Sequence, residues 1–243
     1  MQNKRSLYMP RTYRDAHAPD GLQAFSLCQE QSDLYIAATH PNPAAAERAL
    51  TQARAEVFEA LRMAPEFGAS LVPLDFIGPA LPTAMARACA ACGVGPMAAV
   101  AGAVAQAVGQ SQDGEVIVEN GGDLYLHLTR SRVIGLFAGD KSPFSGRLGL
   151  HIGPGTWGLC TSSGTLGHSL SFGRADAAVI LSADPLLADA AATALGNQIT
   201  TPDQAAPAVE QITKLPGILG AVAIIGTTLA AVGAVELVKL APT

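Results

Sequence analysis

The pattern of apolar and polar positions predicts strands and helices in turn along the chain. Two apolar runs, residues 22–27 and 34–38, flank a polar break, which is typical of a β-hairpin. Apolar residues then recur every three or four positions over residues 43–63, so we predict an amphipathic helix there. Residues 65–82 are punctuated by proline and glycine, which predicts a covering loop.

The middle of the chain is predicted to hold two alanine-rich helices, over residues 83–92 and 96–109. The second has small residues nearly all round, which favours deep packing close to other backbone. Short runs of β-prone residues and one turn-rich stretch come next. The runs are residues 115–119, 124–128 and 133–137, and the turn-rich stretch is 140–149.

The C-terminal part is predicted to contain a strand at residues 175–182 and a helix at 185–195 that stops at Gly196-Asn197. Another helix is expected over residues 202–214, before a final strand pair. Residues 218–240 are apolar enough for a membrane span in length, but glycine and threonine interrupt them, which favours strand, loop and strand. Mixed strands and helices with several hairpins predict an α+β fold, layered as α/β, rather than a simple βαβ repeat.

The composition of the chain limits the classes of protein to which it can belong. A chain of 243 residues, 49% hydrophobic and 14% charged, can bury a full core as a single domain over residues 1–243. The net charge of −5 provides no basic field for nucleic acid, and we expect neither nucleic acid nor membrane as a partner. The N-terminus lacks the apolar run of a secretory signal, so a cytoplasmic location is expected.

Two motifs in the alanine-rich region are weak indicators of a functional site. Gly93 to Ala98 satisfies Gly-x-Gly-x-x-Ala, but the preceding residues are predicted to be helical, so a Rossmann dinucleotide site is rejected. The helix start remains a place for a polar or anionic ligand atom. Cys89 and Cys92 form a Cys-x-x-Cys without a second pair, and small buried cysteines are favoured over a metal or redox pair.

Gly121, Gly122 and Asp123 follow Glu119-Asn120 between two predicted strands. Asn-Gly is a strong signal for a tight hairpin turn. Paired glycines also let a backbone approach a ligand closely. The sequence leaves both interpretations open.

A run rich in serine, threonine and glycine offers hydroxyls and backbone donors together, which suits phosphate or ribityl-type groups. A serine hydrolase would need a Gly-x-Ser-x-Gly elbow and a placed acid, and neither is evident, so nucleophilic catalysis by Ser163 with His168 is disfavoured. The candidate binding residues of this run are Ser162, Ser163, Gly164, Thr165 and His168.

Asp189 and Thr193 lie four residues apart on a predicted helix and therefore on one face. Both can reach a single cation such as Mg²⁺. The alternative is a solvated aspartate and a threonine that bonds back to its own helix.

The order of these motifs resembles the ApbE family of FAD:protein FMN transferases. The likeness covers roughly residues 93–240 and is closer to a branch with similar Cys-Thr-Ser-Ser-Gly-Thr, Gly-His-Ser-Leu-Ser-Phe-Gly and Ala-Leu-Gly-Asn runs. The resemblance implies a T-fold-type architecture of two β-sheet and helix halves, about 1–110 and 111–243. It also implies FAD or FMN as the ligand, bound through Gly121 to Asp123 and the serine-rich run.

In the transferases, a helix-borne Asp and Thr and a backbone carbonyl hold Mg²⁺ against the FAD pyrophosphate. Asp189 and Thr193 match by position, and the resemblance implies a carbonyl from residues 96–99. Two departures change the expected activity. Met97-Ala98-Ala99 stands where the family has Lys-Gly, and residues 169–173 stand where it has Ile-Ile-Asp-Pro. We therefore expect binding of a flavin or nucleotide-like small molecule, with Mg²⁺, rather than flavin transfer.

Two other hypotheses remain open from the sequence. The first is an accessory protein of sulfur or thiamine-related metabolism that acts through partner contacts or through Cys89, Cys92 and Cys160. The second is a structural module in which the small-residue faces at 98–107 and 188–194 pack subunits into a homo-oligomer.

Overall fold

The computed structural model describes residues 19–164 and 173–240 and has three layers. Helices cover one face of an eight-stranded sheet, and a three-stranded sheet covers the other. This arrangement confirms the predicted α+β class. The predicted boundary between two halves, at residues 110 and 111, falls between a helix that ends at Gly109 and a strand that begins at Asp113. The large sheet includes strands from both sides of this boundary. The division into halves stays a prediction.

The large sheet is antiparallel throughout, in the order β1-β2-β3-β4-β7-β8-β9-β10. The first hairpin is the one that residues 21–39 predict. The strands are β1 (Gln23–Gln29), β2 (Ser32–His40), β3 (Asp113–Asn120), β4 (Asp123–Leu128), β7 (Gly155–Ser162), β8 (Ala177–Ser182), β9 (Ile218–Ile225) and β10 (Thr228–Gly233).

The small sheet has the order β11-β6-β5, and its apolar side chains pack on the large sheet. Its strands are β5 (Arg132–Gly135), β6 (Leu148–Ile152) and β11 (Glu236–Lys239). Because helices cover one face of the large sheet and this sheet the other, β8 is buried at every position. A strand covered on both faces shows a continuous apolar run rather than alternation.

The helical layer contains five longer helices and one short one. They are α1 (Pro43–Met63), α2 (Glu66–Ala69), α3 (Ala80–Cys92), α4 (Val100–Gly109), α5 (Pro185–Gln198) and α6 (Ala205–Ile212). Asn42 caps α1 through its side chain, and Asp184 caps α5 in the same way. The 3₁₀ turns Pro96–Ala99 and Pro202–Gln204 precede α4 and α6.

Two predicted boundaries in the helical layer are wrong. Residues 65–82 are not wholly loop, because α2 forms within them and α3 begins at Ala80, where Pro82 lies in the first turn and costs no hydrogen bond. Helix α5 does not stop at Gly196-Asn197 but continues to Gln198. Gly196 packs close to the Ser162 side chain, so this glycine serves close packing rather than a helix end.

Three strands were not predicted from the sequence: β6, β7 and β11. Strand β7 extends to Ser162, the first candidate binding residue of the serine-rich run. Strands β6 and β7 were not predicted because both contain glycine. A side chain at Gly149 would lie 2.8 Å from Val133, and one at Gly158 would lie 2.4 Å from Pro185. These glycines are therefore packing positions within strands, whereas sequence reasoning took glycine as a turn signal.

Residues 218–240 form strands β9, β10 and β11, as the interrupted apolar pattern predicts for the first two. Over the described ranges, no single helix has the length and hydrophobicity to cross a membrane. The pair Ala80–Cys92 and Pro96–Gly109 passes that test only together, with a bend of 103°.

The contact between β7 and α5 generates a stability prediction. An alanine at Gly158 would place its Cβ 2.4 Å from Pro185 Cα, so we expect Gly158→Ala to lower the free energy of unfolding by about 1–3 kcal/mol. Gly153→Ala is the matched control, because nothing lies within 4 Å of its added Cβ. Urea unfolding followed by circular dichroism measures both, and equal midpoints for the two variants would contradict the packing argument.

Candidate functional site

The hairpin between β3 and β4 positions the first candidate acid, Asp123. Asn120 pairs with Asp123, and the two residues between them, Gly121 and Gly122, have φ of 73° and 107°. A two-residue turn with two positive φ angles requires such residues, so the structure confirms the tight hairpin. Asp123 starts β4 and is only 9% exposed, and one of its carboxylate oxygens accepts a hydrogen bond from the Thr161 amide at 3.2 Å.

Helix α5 positions the second acid, Asp189, at its contact with α4. Asp189 is 8% exposed, and its Oδ2 atom accepts a hydrogen bond of 2.8 Å from the amide of Gly102, in the first turn of α4. A Cβ at Gly102 would lie 2.5 Å from the Pro185 carbonyl oxygen and 3.0 Å from Asp189 Cβ. The glycine therefore lets the two helices approach. The amide end of α4 favours a negative charge at this point.

Burial disfavours the charged form of both carboxylates. The pKa of Asp123 is raised from its usual 3.8 to about 7, chiefly by burial and to a lesser extent by the nearby charge of Glu119, while hydrogen bonds from Thr161 and Cys160 oppose the rise. Burial and the charge of Asp123 raise the pKa of Asp189 well above its usual value. Within residues 19–164 and 173–240, no basic side chain forms an ion pair with either acid.

A network of polar contacts holds these acids in place. The Asn120 side-chain amide donates to the Ala101 carbonyl at 3.2 Å, and the Gly122 amide donates to Glu119 at 3.1 Å. From the sequence, Asn120 is predicted only as part of the hairpin turn and Glu119 has no predicted role, although both stand directly before the two glycines. The start of β4, the first turn of α4 and the middle of α5 thus meet around one buried acidic cluster.

Three of the cysteines, Cys89, Cys92 and Cys160, are buried or partly buried thiols that stay protonated near neutral pH. Cys160 lies beside both aspartates, and burial together with their charges raises its pKa well above the usual value. Burial also raises the pKa of Cys89, whose Sγ donates to the Pro96 carbonyl at 3.4 Å, and that of Cys92 to about 11. A protonated buried thiol is the inert form of cysteine, so the geometry does not support catalysis by these residues.

The described part of the serine-rich run, Ser162 to Gly164, begins at the end of β7, next to the C-terminal half of α5. A Cβ on Gly196 would come 3.3 Å from Ser162 Oγ, and the Gly164 amide donates to the Ala175 carbonyl at 2.9 Å. Ser162 and Ser163 are half-buried, as is Thr193, one turn beyond Asp189 on α5. Thr165 and His168 lie outside the described residues, and their proposed roles stay predictions.

The structure thus brings Asp123 and Asp189 together at the start of α4, with Ser162 at the adjacent end of β7. No group of three or more His, Cys, Asp or Glu side chains suited to a metal ion occurs within the described ranges. Two surface cavities of about 620 and 250 Å³ have other linings, so neither is the acidic cluster. The larger lies between α3 and the start of α5.

This chain is similar in sequence to a known family and to proteins of several archaea. A family model described as "AbpE bacteria" matches residues 15–222. A UPF0280 protein of Methanopyrus kandleri is 40% identical over 185 residues, covering 75% of this chain and 76% of that protein. One of Methanoculleus marisnigri is 44% identical over 189 residues, with the same coverage of 75% and 76%.

A solved structure provides a comparison of fold. The apo form of the flavinyl transferase ApbE of Pseudomonas stutzeri superposes with a TM-score of 0.52 at 13% sequence identity. The match covers 87% of this chain and 94% of that one. At this identity the likeness is one of fold alone.

The buried acidic cluster generates a pH prediction. Because the pKa of Asp123 is higher in the folded chain than its usual 3.8, folding is favoured when the group is protonated, and this contribution is lost as pH rises through about 7. Without divalent cations, we expect the unfolding free energy to fall from pH 5 to pH 8. Asp123→Asn keeps an acceptor for the Thr161 amide and should flatten that fall, as chemical unfolding in EDTA would show. An unchanged slope in the variant would refute the assignment.

Proposed function

The chain belongs to the family described as "AbpE bacteria", and from this premise we propose that it binds a flavin or another nucleotide-like ligand, together with Mg²⁺, at the acidic cluster. The observation that carries the proposal is the pair Asp123 and Asp189, two buried carboxylates that share no basic partner within the described ranges. A cation that binds there would remove the cost of burying both charges.

The donor set fits Mg²⁺ better than a softer metal. Asp123 and Asp189 supply carboxylate oxygens, and Thr193 supplies a hydroxyl one turn along α5. Magnesium is usually bound by one or two carboxylates, with water and phosphate oxygens completing its octahedron. The small number of acidic side chains therefore suits a metal that needs a phosphate-bearing ligand as well. When bound, Mg²⁺ would neutralise charge on such a phosphate.

The protein's own polar groups supply the other contacts of the proposed site. Ser162, Ser163 and Gly164 lie at the end of β7, next to Asp123 through its bond to Thr161. Hydroxyls and backbone amides at a strand end can hold phosphate oxygens. Thr165 and His168 continue the same run and complete the proposed ligand contacts.

The same residues support binding rather than transfer. Met97, Ala98 and Ala99 form the 3₁₀ turn that leads into α4, and they provide no basic side chain where the transferases carry Lys-Gly. A transferring site needs positive groups placed against a departing phosphate. We propose that FAD held here is released intact.

Equilibrium dialysis tests the proposed ligand. The full chain should retain FAD, FMN or ATP when Mg²⁺ is present and much less in EDTA. Asp189→Asn keeps an oxygen acceptor for the Gly102 amide but removes the charge. We expect at least about tenfold weaker retention, the size of effect that the loss of an outer-shell partner already produces.

Asp75→Asn, at an exposed aspartate on the loop before α3, is the matched control and should bind like the native chain. Retention of none of the three nucleotides with Mg²⁺ would refute the proposed function. Recovery of FMN and AMP from FAD would refute the binding-only part of it.

A further inference from the structure

A second candidate site lies at the opposite ends of β3 and β4 from the acidic cluster. It is a cavity of about 250 Å³ beyond the C-terminus of α4, lined on one side by Asp113 and Gly114 and on the other by Tyr125 and His127. Its volume is several times the ~30 Å³ that one water occupies in the liquid and somewhat below the ~300 Å³ at which drug-sized pockets begin. It therefore suits a small organic molecule rather than a bare ion.

Tyr125 provides an unpaired polar group in this cavity. The residue is only 5% exposed, and its ring packs on Gly109 so closely that a Cβ there would lie 2.1 Å from Cδ1. The Tyr125 hydroxyl makes no hydrogen bond within the described ranges. It is also not fully enclosed, because the one fully enclosed side-chain nitrogen or oxygen without a partner among the described residues is Arg132 Nη2. The Tyr125 hydroxyl therefore reaches the cavity and leaves an acceptor there without a donor.

The charges around the cavity are negative. Asp113 contributes a carboxylate, and the last turn of α4 directs its carbonyl end toward the cavity with no basic residue to offset it. No Lys or Arg is among the described residues that line it. Burial also raises the pKa of Tyr125, which keeps the hydroxyl neutral.

Two other lining side chains already have hydrogen-bond partners. Gln112 uses its side-chain amide on the backbone of Asn42, donating at 3.2 Å and accepting at 2.8 Å. His127 Nδ1 lies 2.9 Å from Thr156 Oγ1. The groups that can still accept a hydrogen bond are thus the phenol oxygen, the carboxylate and the second lone pairs of the last α4 carbonyls. Each of these carbonyls already accepts one amide N–H from the turn that follows the helix.

We propose that this cavity binds the primary ammonium group of a small molecule, with Asp113, Tyr125 and the carbonyl end of α4 as the acceptors. A protonated amine carries three N–H donors and one positive charge, which matches these acceptors in number and sign. The site is independent of the acidic cluster, so either proposal can fail alone.

Amide NMR titration of the full chain with butylammonium chloride tests the inference. Saturable shifts are expected at the amides of Gly109 and Gly114. Butanol, of the same length but neutral, and potassium chloride at equal ionic strength should produce no saturable shift there. Saturation by either control would overturn the assignment of an ammonium site, as would the absence of saturation by butylammonium.

Substitutions test which side chains accept hydrogen bonds from the ammonium group. Tyr125→Phe keeps the ring on Gly109 and should weaken butylammonium binding about tenfold, as the loss of a hydrogen bond to a charged group implies. Asp113→Asn, at an exposed position, should weaken it about threefold. Asp140→Asn makes the same charge change at an exposed position that does not line the cavity and should leave binding unchanged. Native affinity in both Tyr125→Phe and Asp113→Asn would overturn the proposal.

Discussion

The burial of two like charges is the constraint on which this structure depends. Asp123 and Asp189 lie between the helical layer and the large sheet; burial raises the cost of ionising both, and the charge of Asp123 adds to that cost for Asp189. An apolar interior does not hold such a pair without strong local support. The amides of Gly102 and Thr161 give that support, so the start of α4 and the end of β7 are fixed in place by the acids that they stabilise.

The packing around the acids follows from the same requirement. Helix α5 can bring Asp189 to the sheet only if its neighbours are small, and most of its buried residues are alanine. Gly102 removes the side chain that would separate α4 from α5, and Gly158 does the same between β7 and α5. Small residues in this layer are therefore required for the two acids to come together. In the sequence alone they look like those of any alanine-rich helix.

The sequence predicted what local chemistry determines and missed what packing determines. Helix α1 was predicted with its observed bounds because its apolar spacing is regular, and the hairpin before Asp123 because Asn-Gly encodes its turn. Strand β7 was missed because glycine is typical of turns, and the sequence does not show that Gly158 packs against α5. The proximity of Asp123 to Asp189 could not be predicted from their spacing, since it arises from the crossing of α4 and α5 over the sheet.

One detail of the backbone bears on how such a protein can change over evolution. Gly164 and Gly173 approach so closely that a Cβ on Gly164 would lie 2.2 Å from the Gly173 carbonyl oxygen. Gly173 in turn lies against Gly196, and the Arg174 amide bonds to the Ile199 carbonyl at 2.7 Å. The ends of the intervening segment are therefore fastened to each other and to α5. Insertions or replacements between these two glycines therefore need not shift β7, β8 or the acids, because loop length itself costs little free energy.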